Sequence, residues 1–135
     1  LATASRGFYG LDRMERMSPE RMRRFFIADK AAGTDGYRMR PELQRLIAFS
    51  RINLLDSSWS VQGPLDAIFC RNVMIYFDKP TQYQILKRFR PLLRDDGLLY
   101  AGHSESFLHA ADLFRPLGRT VYERSDRSGA SMRIG

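Results

Sequence analysis

One cysteine is all the chain has. A single thiol, Cys70, excludes an internal disulfide framework and any zinc site built from several cysteines, and it fits a reducing compartment. Long apolar runs are missing as well: none approaches the roughly 18 to 20 residues a membrane span needs. No basic, apolar, small-residue signal pattern opens the chain. The expectation is a globular, cytoplasmic protein without direct membrane insertion. No internal repeat is visible, and no obvious Ser-His-Asp or metal constellation stands out.

What is present is enough for a core. With 44% hydrophobic and 12% aromatic residues in 135, one domain can bury about two-thirds of its unfolded surface. The formal charge of +7 is unevenly placed: residues 1–51 hold eleven Lys/Arg against six Asp/Glu, and residues 52–135 hold eleven against nine. A basic first half attracts nucleic acid, anionic lipid or an acidic protein, and charge alone does not choose among them.

Local signals order the elements. "LATASRG" reads as the end of a preceding helix over 1–6, with the chain starting partway through something larger. In "SPERMRRFFI" a Ser cap, Pro at the first helical position and Glu behind it predict a helix over Ser18 to Ile27. "AAGTDG" predicts a turn, "YRMR" a short strand, "PELQRLI" a helix, and "AFSRINLL" a strand ending near Leu55. "LDAIFCRN" reads as a buried strand. "KPTQYQILKRFRPLL" reads as a helix with Ile85, Leu86, Phe89, Leu92 and Leu93 on one face. "RDDG" predicts a turn, "LLYAGHS" a strand, "ESFLHAADLF" a helix, and "FRPLGRTVYERS" a hairpin or pair of terminal strands. Alternating strands and helices imply an α/β fold with a parallel sheet. "DRSGASMRIG" has no periodicity and predicts a flexible tail over 126–135.

In open parallel sheets, ligands bind outside the carboxyl ends of the strands. Cys70, Arg71 and Asn72 would therefore stand at such a rim after the "DAIF" strand. Asn53 and Leu54 would reach it from the preceding strand and His103 to Glu105 from the following one.

These residues also carry a resemblance. "NLL", "GPLDAIFCRNVMIYFDKPTQ", "RFRPLLRDDGLLYAGHSESF" and "LFRPLGRTVYER" follow in an order that resembles the CheR-type chemotaxis methyltransferases. The resemblance covers the carboxyl-terminal half of that family and implies a doubly wound, Rossmann-like α/β sheet, partial here, interrupted by a small β-subdomain. It implies transfer of a methyl group from S-adenosylmethionine to glutamate side chains of chemoreceptors, with S-adenosylhomocysteine as product. By residue, it implies that Asn53, Leu54, Arg71 and Asn72 bind cofactor and that Arg71 and Tyr76 are catalytic. The basic subdomain, expected over 7–46, would bind receptor, with Arg38 and Arg40 meeting acidic side chains on a strand having one free edge. Residues 47–125 would be the second half of the methyltransferase domain. The implied partners are methyl-accepting chemoreceptors, with no nucleic acid, and the protein is expected to be a monomer. The family's glycine-containing cofactor loop and its ribose-holding acid match nothing in this sequence.

The chemistry suits so spare a site. A glutamate is already ionised at pH 7, so its methylation needs orientation and exclusion of water and no general base. Each residue also has a plainer reading. Arg71 and Asn72 can cap the next segment, Tyr76 can be a core aromatic, and Cys70 can be a small buried hydrophobe. His103 can make a structural hydrogen bond near a helix that Ser104 caps. The Arg13 to Arg24 run can be a solvated helix face. A non-catalytic basic module binding an acidic protein or nucleic acid is the alternative to an enzyme. A nucleic-acid methyltransferase is a third reading, against which stands the lack of an Asn-Pro-Pro-aromatic segment after the "DAIF" strand.

Overall fold

The computed structural model describes residues 1–29 and 35–125. Most of the expected 31–36 turn and all of the expected 126–135 tail lie outside them. The contacts divide the chain into two compact units that meet in sequence between Ile52 and Asn53, whereas the sequence reading puts that division at 46/47. No helix among the described residues is long and apolar enough to cross a membrane.

The first unit is a three-stranded antiparallel sheet with short helices. Helix α1 (Ala2–Arg6) ends at Gly7, whose φ of 62° is the left-handed conformation that glycine adopts without a Cβ penalty. Strand β1 (Phe8–Gly10) and helix α2 (Leu11–Met14) follow. Helix α3 (Pro19–Phe25) begins as its sequence demands, with the Ser18 hydroxyl accepting the Arg21 N–H at 3.2 Å. It stops two residues short of the expected Ile27, because Phe26 opens a strand that the sequence reading lacks, β2 (Phe26–Asp29). Strand β3 (Gly36–Met39) pairs with β2 from Phe26↔Met39 to Asp29↔Gly36 and with β1 from Phe8↔Arg38 to Gly10↔Gly36. Cross-strand pairing of aromatic and β-branched residues outweighs two more residues of helix. Helix α4 is a single turn, Pro41–Gln44, shorter than the expected "PELQRLI".

The order β1-β3-β2 makes β3 the central strand. The expected free edge at Tyr37 to Arg40 is therefore corrected: both edges of β3 are occupied, and Arg40 lies beyond the strand. Arg38 and Arg40 are also engaged within the unit. The Arg38 guanidinium donates to Asp29 Oδ2 at 2.7 Å and to the Arg6 carbonyl at 2.8 Å. Arg40 donates to the Arg23 and Arg24 carbonyls at 2.9 and 3.1 Å, satisfying two of the acceptors that the end of α3 leaves unpaired. Arg13, Arg16, Arg21, Arg23 and Arg24 are exposed, as a solvated face would be.

The expected "AFSRINLL" strand does not form. No described strand pairs with these residues, and an extended segment without a partner is not a strand however β-prone its residues. Phe49, Ile52 and Leu55 are exposed.

The second unit is α/β. Strand β4 (Leu65–Cys70) runs parallel to β5 (Leu93–Ala101), and helix α5 (Lys79–Leu92) crosses between them. Strands β6 (Phe114–Pro116) and β7 (Val121–Arg124) form the expected terminal hairpin. The sheet order is β4-β5-β7-β6, with β7 antiparallel to both neighbours, so the sheet is mixed and only its β4–β5 pair is parallel. Helix α5 starts at Asp78, which accepts the Thr81 N–H at 2.9 Å. Its Ile85, Leu86 and Phe89 bury against Leu99, Ala101, Phe107, Phe114 and Tyr122, each side chain contributing about 1.5 to 3 kcal/mol on burial. Leu93 is buried too, as the first residue of β5, while Leu92 is only half-buried.

Two more expectations give way to packing. "RDDG" is no turn: β5 runs through it, and the register jumps from Leu65↔Leu93 to Ala67↔Leu98, leaving Arg94 to Gly97 as a bulge. Arg94, bound to Asp66 at 2.7 Å and Asp96 at 2.6 Å, straps that bulge to β4. "ESFLHAADLF" is not an α-helix but a single 3-10 turn, Leu108–Ala110. Its buried residues Phe107, Ala110 and Leu113 recur every three positions, the period of the tighter helix.

Candidate active site

Strand β4 delivers the rim. Its last residue, Cys70, is buried, and the chain emerges as exposed Arg71, Asn72 and Val73 before re-entering the core at Met74, which has no exposed surface. Asn72 has φ 63°, a left-handed conformation that asparagine tolerates better than most residues. A 3-10 turn, Met74–Tyr76, follows and leads to the Asp78 cap.

This loop is held by a buried carboxylate. Glu105 is 7% exposed. Its Oε1 accepts the Asn72 N–H at 3.0 Å and the Gly102 N–H at 2.7 Å, and its Oε2 accepts the Met74 N–H at 2.7 Å. From the helix side, buried Gln82 donates its Nε2–H to the carbonyls of Met74 at 2.7 Å and Phe77 at 3.0 Å. Gly102 must be glycine here, since a Cβ would lie 2.5 Å from Asn72 Oδ1 and 2.9 Å from Glu105 Oε1. Burial, and next the Glu105 charge, push the Cys70 thiol up to about 11. At neutral pH it is a protonated, buried hydrophobe and no nucleophile.

The expected residues Arg71, Asn72 and Tyr76 thus share one loop at the carboxyl end of β4. Tyr76 is 80% exposed, which excludes the core reading. In the second unit Arg88, Arg90, Arg94, Arg115 and Arg124 are all engaged with protein groups, whereas Arg71, like exposed Arg119, has no such partner among the described residues. It caps nothing. Asn53 and Leu54 do not end a strand: Asn53 Oδ1 accepts the Leu55 N–H at 3.0 Å in a turn, and Leu54 packs against the core. His103 and Ser104 are exposed, with no α-helix beside them for Ser104 to cap. Arg38 and Arg40 belong to the first unit.

Glu105 and Gln82 are the residues whose work sequence reasoning missed. The one signal for Glu105 is the "GHSE" block, which puts a carboxylate just past a strand end. For Gln82 it is a polar residue set among the buried positions of α5.

A parallel strand pair with a crossover helix, ending in a braced rim with an unpaired guanidinium, an amide and an exposed phenol, is an α/β arrangement of the class in which ligands are held at strand ends. The residues 1–123 match the family described as CheR methyltransferase, SAM binding domain, and the chain belongs to that family. It is 51% identical to chemotaxis protein methyltransferase 2 of Pseudomonas aeruginosa, over 90% of this chain and 44% of that protein. It is 48% identical to the chemotaxis protein methyltransferase of Salmonella typhimurium, over 93% of this chain and 43% of that protein. With the Escherichia coli protein of the same name the identity is 46%, over 93% and 44%. The chain thus spans less than half the length of these relatives.

Proposed function

We propose that this chain carries part of the active site of a protein-glutamate O-methyltransferase that acts on chemoreceptors. The observation that carries this reading is the unpaired Arg71 guanidinium on a loop whose backbone is fixed from two sides. The residues present fit S-adenosylmethionine, which has a carboxylate for a guanidinium, an amino group for an amide oxygen and a polar adenosine. Arg71, Asn72, Asn53 and Leu54 are the residues that would hold it. When bound, the cofactor supplies an electrophilic methyl group on a positively charged sulfur.

The rest is orientation. Arg71 can grip a carboxylate through forked hydrogen bonds, either the substrate's or the cofactor's own. Tyr76 stands exposed four residues beyond the left-handed Asn72, free to meet an incoming side chain. No proton needs to leave the substrate glutamate at pH 7, so no base is required of the rim. Cys70 is held as a thiol, and both Glu105 oxygens are taken up by N–H groups. Arg71 and Tyr76 would have only to hold a glutamate carboxylate in line with the methyl group that the bound cofactor would supply.

In this reading the basic three-stranded sheet binds the receptor. Because β3 is central, an added peptide strand would pair with β1 or β2. The non-catalytic alternative is not favoured by membership of a methyltransferase family.

The test is incorporation of labelled methyl into receptor by the intact protein, followed by mild alkali. Glutamyl methyl esters release methanol, and methylated amines do not. Alkali-stable label, or none, would overturn the proposal.

A further inference from the structure

We infer that Glu105 and Gln82 are positioning residues that clamp the Met74 peptide from both sides and thereby set Arg71 and Tyr76. The inference rests on the methyltransferase reading of the same rim. Glu105 holds the Met74 N–H and Gln82 the Met74 carbonyl, both at 2.7 Å and both in buried bonds. The two residues come from opposite directions, one just past the end of β5 and the other from the first turns of α5. Glu105 also fixes the Asn72 N–H on one side of Val73, and Gln82 fixes the Phe77 carbonyl beyond Tyr76. Arg71 and Tyr76 are themselves exposed, and the one backbone bond at Tyr76, its N–H to the Val73 carbonyl at 3.2 Å, lies within the same short turn and does not tie that turn to the core. Their placement comes from these four anchored groups.

The division of labour between the two Glu105 oxygens makes the clamp separable. Oε1 serves two donors and Oε2 serves only Met74. In Glu105→Gln the amide oxygen keeps the two-donor position and the new NH2 faces the Met74 N–H, donor against donor, so that one anchor opens. In Gln82→Met the shape of the side chain is kept and both donors to the loop are lost.

Two readouts on the intact protein test this. Met74 amide exchange, measured without cofactor, should quicken in Glu105→Gln relative to the Asn72 and Gly102 amides. Turnover per folded molecule, measured well below the melting temperature, should fall on the order of tenfold or more in each variant, since small misplacements of catalytic groups are costly. KM for S-adenosylmethionine should change little in Gln82→Met, which leaves the Asn72 anchor in place. Unchanged Met74 exchange would show that there is no clamp. Faster exchange with unchanged turnover would show a structural brace that positions nothing. If Glu105→Gln does not fold, turnover of folded Gln82→Met decides, and an unchanged value would show that the brace positions nothing. If the unaltered protein transfers no methyl group, the methyltransferase reading fails, while amide exchange still decides the clamp.

Discussion

The Glu105 carboxylate and the Met74 backbone N–H, 31 residues apart in sequence, meet at 2.7 Å inside the core. With Asn72 and Gly102 completing the set, one side chain satisfies three main-chain donors at the junction of β4, β5 and the rim loop. Leaving buried donors unpaired costs about 1 to 3 kcal/mol each. The Met74 and Gly102 donors are buried and the Asn72 donor only partly so, and Glu105→Ala should therefore destabilise the second unit by about 2 kcal/mol or more. A denaturant midpoint showing a loss below about 1 kcal/mol would mean that water or a shifted backbone replaces the carboxylate.

Arg71→Ala should do the opposite. An exposed side chain without a protein partner contributes little to folding, so stability should stay within about 0.5 kcal/mol while methyl transfer in the intact protein falls sharply. Near-normal methylation of receptor by the variant would remove Arg71 from the site.

Tyr76→Phe separates ring from hydroxyl. At 80% exposure the residue has little packing to lose, so both Tyr76→Phe and Tyr76→Ala should melt like the parent. A substrate-positioning hydroxyl shows as lost turnover in the Phe variant. If Phe is silent and Ala is not, the ring is what the substrate meets.

Cys70 gives a pH prediction. Its thiol is lifted by burial, and next by the Glu105 charge, from an ordinary value of 9.0 to about 11. Because the folded value is the higher, the folded state holds the proton more tightly. The associated stability is whole below pH 9 and is lost as pH rises through about 11. Cys70→Ala should flatten this alkaline limb of a stability–pH curve, and an unchanged slope between those values would refute the assignment.

What could be read in advance was local. Ser18 with Pro19 is a capping signal complete within a few residues, and α3 begins there. The spacing of Ile85, Leu86 and Phe89 likewise announces a buried face, and "DAIFC" announces its strand. What escaped was tertiary. "RDDG" has every mark of a turn, yet Arg94 reaching Asp66 on β4 keeps it in the sheet as a bulge. "ESFLHAADLF" has helix-forming residues, yet its first carboxylate is drawn into the rim and its apolar residues bury with a period of three. In the candidate site, Arg71 and Asn72 were legible because they follow a strand end, and Tyr76 only through the family resemblance. Glu105 was legible only as a neighbour of the rim, since its three bonds join segments that no local pattern connects.

Arg38 shows how a residue picked for a partner can be needed at home. Its guanidinium ties the end of β2, through Asp29, to the end of α1, through the Arg6 carbonyl, and lies 5.9 Å from the centre of the Phe8 ring. Arg38→Glu would set a carboxylate against Asp29 and against a carbonyl oxygen, for an expected loss of about 1 to 3 kcal/mol in the small sheet. Arg40→Glu would remove two donors from the end of α3 and put negative charge at a helix C-terminus, where it is disfavoured by about 0.3 to 1 kcal/mol. A double reversal would then weaken receptor association by loosening the sheet, whether or not either side chain touches receptor. Arg21→Glu with Arg23→Glu changes the charge equally at exposed positions of α3. If receptor is attracted by charge, this second pair should weaken association in a salt-dependent way and leave amide exchange in β1, β2 and β3 unchanged. Arg38→Glu should quicken that exchange. Unaltered exchange in Arg38→Glu, together with lost receptor binding, would return Arg38 to the interface.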